Sequence, residues 1–404
     1  MPVLQEIIRS SKSLEYTLNQ PDSVWIEDVV TGKRFEVTKG VYKILKFLEQ
    51  PQSVNDFVQT AKKQFEESAI YKTLNYLYDN KLVVPNHTDD TLKVVAKKPP
   101  VFGLNQTQDP KQLEDSVIFI GVPYGSGNTK DDNCKLFPYF LRAFTQKYGL
   151  SLNKQNISKI NFNFIDHAIN FSSLIERCQD EKIVDFGELY FWKIESAFSV
   201  YDKIELVVEA SSKNGNIPFV LGGDHSISYP AIKGISKNYD TFQIVHFDAH
   251  TDTYYSKIQE LYEKSGKAAH HHGNFISKCL ELKNLKKVTQ IGIRGVPNAK
   301  MYQHEKIEVI WMNEVQELLE NGTEAILKDV PIYITFDIDY FDPSIAPGTA
   351  TPVLEGAYFN NTVKLLKSIL DKRPIIGFDL VEVNPNIDIE EPVSYTHLTL
   401  PTKA

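Results

Sequence analysis

The segment FQIVHFDAHTD, residues 242–252, constrains the fold of this chain more than any other stretch. Its first part is mostly apolar, and Asp248, His250 and Asp252 then follow at intervals of two residues. Ionised carboxylates are unfavourable at the end of a buried strand unless they are paired or bind a cation. With strand geometry the three side chains point to the same side. The segment therefore predicts a buried strand whose end carries metal-binding groups.

Apolar runs of this kind recur along the chain with helix-length segments between them. Gly, Asp, His or Glu lies at or near the end of the apolar part of each segment. The segments are DSVIFIGVP, IPFVLGG, KVTQIGIRG, PIYITFDIDYFDP and PIIGFDLVEVNP. Such an alternation indicates βαβ units around a parallel sheet with helices on both faces. Parallel sheets bind ligands beyond the carboxyl ends of their strands. We therefore predict an α/β fold with a three-layer parallel sheet and a functional site at that edge.

Two other strand ends supply similar chemistry. FDID places Asp337 and Asp339 at the same spacing, and GGDHS presents His225 after a tight glycine turn. Oxygen and imidazole ligands without thiolate favour Mn²⁺ or a similar dication over structural zinc. The excess of carboxylates favours two cations, which together can activate a water molecule. GGDH on its own is equally typical of a turn capped by Asp224, and we expect His246 to be a buried, hydrogen-bonded histidine.

Charge and cysteine usage exclude several partners and compartments. The formal net charge of −8 offers no electrostatic footprint for nucleic acid or an anionic membrane. No apolar run approaches the roughly 18 residues that cross a bilayer, and the N-terminus lacks a signal-peptide pattern. The three cysteines are far apart and form no C-x-x-C motif, which indicates reduced thiols. We predict a cytoplasmic protein without nucleic-acid or membrane partners, and assembly into a homo-oligomer stays open.

The motifs GGDHS, FDAHTDT, HHHGN, FDIDYFDPSIAPGTATP and VEVNP closely resemble those of the ureohydrolase family, which includes arginase and agmatinase. The resemblance covers about residues 114–390. It implies an arginase-type α/β fold, two Mn²⁺ ions, and hydrolysis of a guanidinium group to an amine and urea. It further implies the metal ligands: His225 and Asp252 for one ion, His250 and Asp339 for the other, and Asp248 and Asp337 bridging both.

The same resemblance implies residues for the chemistry. Glu382 matches the glutamate that binds the guanidinium, and a planar cation suits a bidentate carboxylate. His272 resembles the family's proton-shuttling histidine, and an imidazole titrates in the range needed to protonate a leaving amine. His270 and His271 rank below His272 for this role. Asp252 is counted with His272 and Glu382 among the catalytic residues.

Some segments depart from arginase. Arginases recognise the amino-acid end of free arginine with polar residues after DAHTD and before the HG pair. This chain has TYY in the first place and Ala268 and Ala269 in the second. These differences disfavour free arginine as the substrate. The motifs DTYY and GIRG look closer to those of agmatinase. Residues 253–271 form a longer segment than either enzyme leads us to expect, which is either a lid or an inert surface helix.

The first part of the chain predicts a separate module. SVWIEDVVTGKRFEVT alternates like a hairpin, and three amphipathic helices and a short strand follow. We predict a small winged-helix-like α+β domain at residues 1–90, a linker at 91–113, and the catalytic domain at 114–392. The module is similar to RiPP recognition elements, the leader-peptide-binding domains of the type found in pyrroloquinoline quinone biosynthesis. Its nearly neutral charge disfavours DNA binding, the competing interpretation.

Together these parts predict conversion of peptidyl arginine to ornithine in a ribosomally made precursor peptide. Leader binding would raise the concentration of the core peptide at the metal site. Two alternatives stay open. One is an agmatinase-like hydrolase of a small guanidine with a regulatory first domain, and the other is a transcription regulator with a ureohydrolase-like sensor. Residues 393–404 lack helical periodicity, and we expect them to be a non-native tail.

Overall fold

The computed structural model describes residues 5–11, 14–20, 23–28, 33–86, 98–107, 109–160, 171–191, 195–254, 270–296 and 303–388. The chain divides into two compact units, an N-terminal unit of Met1–Lys97 and a C-terminal unit of Lys98–Ala404. The predicted tail at 393–404 and most of the long segment at 253–271 lie outside the described residues. No helix in the described ranges has both the length and the apolar character that crossing a bilayer requires.

The N-terminal unit contains two small antiparallel sheets, with strand orders β2-β3-β4 and β5-β1-β6. Its strands are β1 Ile7–Ser10, β2 Leu14–Gln20, β3 Ser23–Asp28, β4 Lys33–Thr38, β5 Gln52–Ser53 and β6 Val83–Pro85. Its helices are α1 Lys39–Phe47, α2 Val54–Ala61 and α3 Glu67–Asp79.

The hairpin, the three helices and the short last strand occur where the sequence places them. β3 pairs with β4, and Thr38 at the end of β4 caps α1 by accepting from the Val41 N–H. Three further strands, β1, β2 and β5, were not predicted. β1 is only four residues long and pairs with β5 and β6, which lie after the first helix and the third helix. Local periodicity does not detect such a short strand.

The C-terminal unit is built on an eight-stranded sheet in the order β12-β11-β10-β13-β14-β9-β7-β8. Every neighbouring pair is parallel. The strands are β7 Val117–Gly121, β8 Ile183–Glu188, β9 Ile217–Leu221, β10 Phe242–Phe247, β11 Leu285–Ile293, β12 Ile307–Trp311, β13 Ile332–Asp337 and β14 Ile375–Val381. The helices are α4 Phe137–Lys147, α5 Ser172–Gln179, α6 Ala197–Ser211, α7 Ser228–Ser236, α8 Phe275–Cys279, α9 Val315–Asn321 and α10 Phe359–Leu370.

This sheet confirms the predicted parallel α/β fold. All residues of β7, β8, β10 and β13 are buried, as expected for strands covered on both faces. The last strand in sequence, β14, lies in the middle of the sheet and pairs with β13 on one side and β9 on the other. The carboxyl ends of the four adjacent strands β10, β13, β14 and β9 therefore meet at one edge.

Residues 98–113 are not a linker. Val101, Phe102 and Leu104 are buried in the core of the C-terminal unit. The fully buried Arg142 donates to the Asp185 carboxylate at 2.8 Å and to the Pro99 carbonyl at 3.2 Å. The sequence prediction was wrong here because prolines and polar residues around this segment conceal its few apolar anchors. Residues 91–97 of the predicted linker lie outside the described residues.

Candidate metal centre

The six predicted metal ligands all follow or end central strands of the sheet. His225 comes after β9, and Asp248, His250 and Asp252 come after β10. Asp337 ends β13, and Asp339 lies in the turn that follows. Parallel register brings these strand ends level, since Phe247 pairs with Phe336 and Leu221 with Leu380. The structure therefore brings together residues that are far apart in the sequence.

The turn after β9 depends on glycine. A Cβ atom on Gly223 would lie 1.6 Å from the Tyr124 carbonyl oxygen, so a side chain does not fit there. Asp224 then accepts hydrogen bonds from the Ser226 N–H at 2.9 Å and the Gly127 N–H at 2.7 Å. The capping interpretation is thus correct for Asp224. The tight turn leaves the next residue, His225, directed into the cluster of carboxylates.

One group of ligands surrounds the imidazole of His225. Its Nδ1 lies 3.1 Å from Asp248 Oδ2, 3.1 Å from Asp252 Oδ2 and 3.2 Å from Asp337 Oδ2. This nitrogen is buried and has no hydrogen bond of acceptable geometry. A buried nitrogen facing three carboxylate oxygens is unfavourable unless positive charge lies among them, supplied either by a bound cation or by a proton on the imidazole itself.

A second group adjoins the first through Asp248. His250 Nδ1 lies 3.0 Å from Asp339 Oδ2 and 3.4 Å from Asp248 Oδ1. Asp248 thus directs one oxygen to each group, as a bridging carboxylate does. Asp337 faces only the first group with Oδ2, while its Oδ1 accepts the Asp339 N–H at 2.8 Å. Bridging by Asp337 stays a prediction.

Hydrogen bonds outside the cluster orient its members. The other nitrogen of His225 lies 2.8 Å from the Thr335 hydroxyl, which donates to Asp379 at 2.6 Å. Gln290 Nε2 donates to the Thr251 carbonyl and lies 2.9 Å from His246 Nδ1. His246 Nε2 is therefore the donor to Asp248 Oδ2, at 2.8 Å. His246 is buried and hydrogen-bonded as predicted, and partners of this kind fix ligand orientation in metal sites.

The donor set fits divalent cations. Potential ligand atoms fall into two groups that share Asp248, one with His225, His246 and Asp252 and one with His250 and Asp339. Carboxylate and imidazole without thiolate suit Mn²⁺ and related first-row dications. The described residues at the cluster include no cysteine ligand. A pair of dications, with manganese as the predicted metal, matches these ligands.

Protonation of the metal-free cluster follows from its burial and charge. Burial alone would lower the pKa of His225, but the carboxylates of Asp248, Asp252 and Asp337 raise that pKa well above its usual range. Burial likewise opposes the charged form of His250, yet Asp339 and Asp248 raise its pKa to about 12. Burial raises the pKa of Asp337, and the neighbouring Asp339 and Asp248 raise it further. The metal-free cluster therefore retains protons at neutral pH.

Metal affinity is accordingly expected to rise with pH. Both imidazoles are protonated in the metal-free protein below their raised pKa values, and each must lose its proton to bind a metal. Each proton released strengthens binding by about tenfold per pH unit. Calorimetric titration with Mn²⁺ in buffers of different ionisation enthalpy measures both the affinity and the protons released. Affinity that is constant or falls as pH rises would contradict this account.

Glu382 and His272 lie together beside the cluster. Glu382 follows β14 with a left-handed φ of 63°. Its Oε1 accepts the backbone N–H of His225 at 2.9 Å and lies 3.2 Å from His272 Nδ1. Burial lowers the pKa of His272, but the Glu382 carboxylate outweighs it and raises the pKa. The pair therefore places a carboxylate and a titratable imidazole next to the first ligand group.

The neighbouring histidines make different contacts. His271 caps a short turn by accepting from the Gly273 N–H at 3.2 Å, and burial lowers its pKa. His270 stacks on Tyr229 with ring centroids 5.4 Å apart. These contacts are consistent with His272, rather than His270 or His271, as the candidate for the proton-shuttling role. Tyr254 is exposed, whereas Ala268 and Ala269 lie outside the described residues.

Several residues at the site were missed by the sequence analysis. Arg294 donates to the carbonyl oxygens of Asp339 at 2.7 Å and Val353 at 2.9 Å, which supports the turn after β13. Asn128, in the loop after β7, donates to Glu382 Oε2 at 2.7 Å. In the sequence, the glycines of GVPYGSGN directly after an apolar run indicate a loop at the end of that strand. Nothing in the local sequence indicates which side chain meets Glu382.

Comparisons with known proteins agree with this geometry. The arginase family model matches residues 115–399. Mitochondrial agmatinase of Gallus gallus is 29% identical over 287 residues, covering 68% of this chain and 75% of the relative. Mitochondrial guanidino acid hydrolase of Homo sapiens is 29% identical over 288 residues, covering 68% of this chain and 72% of the relative. The crystal structure of a hypothetical agmatinase from Burkholderia thailandensis has a TM-score of 0.59 and 25% identity, covering 76% of this chain and 89% of the other.

The family match begins at residue 115 and so concerns the C-terminal unit alone. Within that unit the matched residues include every member of the candidate metal cluster and the Glu382–His272 pair. Fold, cluster and match agree: this chain belongs to the arginase family of metal-dependent hydrolases.

Proposed function

We propose that this protein hydrolyses the guanidinium group of a small guanidine, of which agmatine is the first candidate, and releases urea. The observation that carries the proposal is the position of Asp248, whose two oxygens face two separate ligand groups. The Glu382–His272 pair adjoins one of these groups. The likeness to an agmatinase and a guanidino acid hydrolase supports a small guanidine.

Each residue has a chemical task in this proposal. Two dications, which we propose to be Mn²⁺, supply Lewis-acid activation of water when bound. The proposed ligands are those that the resemblance implied, His225, Asp248, His250, Asp252, Asp337 and Asp339. Glu382 pairs with the planar guanidinium, which matches a carboxylate in charge and geometry. His272 delivers a proton to the leaving amine; burial opposes its charged form, but the Glu382 carboxylate raises its pKa and so favours proton uptake.

Peptidyl arginine in a leader-bearing precursor is the second candidate. The sequence pattern predicts this substrate, but the comparisons favour the small guanidine and do not support a leader-binding domain. What favours the peptide is the sheet β2-β3-β4, in which β2 pairs only with β3 among the described residues. An unpaired strand edge can accept an extended peptide. The transcription-regulator alternative gains nothing from the comparisons, which match enzymes.

Urea release separates these candidates. We expect Mn²⁺-loaded enzyme to release urea from agmatine faster than from a guanidino acid, free arginine or a leader-bearing peptide. Free arginine should react slowly, because the exposed Tyr254 replaces a polar partner for its charged end. Colorimetric urea assays on the four substrates, with chelated enzyme as the blank, measure this order. Urea from the peptide alone would select the second candidate, and no urea from any guanidine would reject the hydrolase proposal.

A further inference from the structure

The loop between β7 and α4 contacts both members of the Glu382–His272 pair. Asn128 Nδ2 donates to Glu382 Oε2 at 2.7 Å, and Thr129 Oγ1 lies 3.0 Å from His272 Nε2. The contacts join residues more than a hundred positions apart in the sequence. Neither residue binds the predicted metals, so the cluster itself does not explain their presence.

The hydrogen bonds of the Asn128 side-chain oxygen fix the orientation of the amide. Asn128 Oδ1 accepts the backbone N–H groups of Lys130 at 2.8 Å and Asp131 at 3.2 Å. A carbonyl oxygen can accept these bonds and an amide nitrogen cannot, so Nδ2 must face Glu382. Glu382 therefore has a donor on each oxygen, His225 N–H on Oε1 and Asn128 on Oε2. The plane of the carboxylate is set before any substrate arrives.

Thr129 fixes the tautomer of His272 in a similar way. The Thr129 backbone N–H points to His272 Nε2 at 3.3 Å. Because that group can only donate, Nε2 presents its lone pair, and Nδ1 carries the hydrogen that faces Glu382. The Thr129 hydroxyl can donate to this lone pair, and it can accept from Nε2 once that nitrogen is protonated. It therefore offers a partner to both protonation states.

The loop is anchored on both sides of these residues. The Gly127 N–H donates to Asp224, and the Gly127 carbonyl accepts the His272 N–H at 3.0 Å. Asn384 Nδ2 donates to Asp131 at 3.1 Å. A Cβ atom on Gly127 would lie 2.3 Å from the Ser226 hydroxyl, so the close approach requires glycine. Because both ends of the loop are anchored, the two side chains are already held at their partners. Little conformational entropy is therefore lost when substrate binds.

We propose that Asn128 and Thr129 are positioning residues for the proposed reaction: Asn128 orients Glu382 toward the guanidinium, and Thr129 holds His272 for proton delivery. The inference rests on the proposed function and adds residues to its site. It assigns separate tasks to adjacent positions, since Asn128 acts on the group that binds substrate and Thr129 acts on the group that moves a proton.

Kinetic constants of matched variants test this division of tasks. Asn128→Ala should raise KM for agmatine by about 10- to 100-fold with a smaller change in kcat, because Glu382 loses a charge-assisted hydrogen bond. Thr129→Val keeps the shape and the backbone N–H but removes the hydroxyl, and should lower kcat by about tenfold with little change in KM. Thr129→Ser should restore kcat. Lys135→Ala, which removes an exposed ion pair with Asp132 in the same segment, serves as the control.

Each outcome has a distinct meaning. Manganese content and melting temperature are measured for every variant, and both should stay at the wild-type value, since the substitutions leave the cluster and the core intact. Wild-type KM in Asn128→Ala, or wild-type kcat in Thr129→Val, would overturn the corresponding assignment while the proposed function stands. A Thr129→Ser protein as slow as Thr129→Val would show that the hydroxyl does not hold His272 for proton delivery. If the wild-type enzyme releases no urea from any guanidine, both the proposed function and this inference fail.

Discussion

Replacing Asp248 with alanine is expected to abolish turnover while the fold persists. The carboxylate directs one oxygen to the His225 group and the other to the His250 group, so its loss affects both predicted metal positions. Without a metal pair, water is no longer activated near neutral pH, and the rate should fall on the order of 10³-fold or more. Metal analysis of the purified variant, together with the urea assay, measures both effects. We expect fewer than two Mn²⁺ ions per chain.

The matched control for this variant is Asp240→Ala. Asp240 is an exposed aspartate just before β10, the strand that carries Asp248. Its replacement should leave metal content and turnover at wild-type values. An Asp248→Ala protein with two bound metals and wild-type turnover would refute the bridging role, and with it the assignment of the cluster as the reaction centre.

Replacing Glu382 with glutamine should raise KM for a cationic guanidine steeply. The substitution keeps the shape but removes the charge that pairs with the guanidinium. It also places an amide donor against either the His225 N–H or the Asn128 amide, because both carboxylate oxygens already face donors. Breaking a buried charge pair typically costs 2–5 kcal/mol, so kcat/KM should fall by about 30- to 5,000-fold. Steady-state kinetics with agmatine measure this loss.

Glu355→Gln provides a control with the same backbone conformation. Glu355 has a left-handed φ of 62°, close to the 63° of Glu382, and its side chain is exposed. Any effect of glutamine on that conformation is therefore common to both variants. Glu355→Gln should leave kcat/KM within about twofold of wild type. Equal losses in the two variants would mean that backbone conformation, rather than pairing with the guanidinium, explains the result.

The central strands were predictable because their sequences are continuous apolar runs that end in polar residues. β9, β10, β13 and β14 all have this form and lie side by side. The strands that the sequence analysis missed, β8 and β12, are the two edges of the sheet. β8 carries the buried acids Asp185 and Glu188, and β12 ends at the exposed Trp311. A charged residue interrupts each of these short strands, Asp185 in β8 and Glu308 in β12, so the apolar pattern weakens there.

The candidate site divides in the same way. That Asp248 and His250 lie together in the cluster could be predicted, because both follow β10 two residues apart and strand geometry points such residues to the same side. Asn128 could not, since its contact with Glu382 depends on the path of a loop between strands that are distant in the sequence. The Thr335–Asp379 pair that supports His225 was also missed, because polar residues inside apolar strands give no sign of their partners. Through-space relations of this kind require coordinates.

The central position of β14 has a consequence for biosynthesis. A ribosome makes β14 after the other described strands of the sheet, and among these strands β14 alone pairs with both β13 and β9. Until β14 has been made, the native pairings of the described strands are confined to two half-sheets, β12-β11-β10-β13 and β9-β7-β8. His225 lies on one half and its carboxylate partners Asp248 and Asp337 on the other. Binding of the proposed metals would therefore require that both halves of the sheet have first come together through β14.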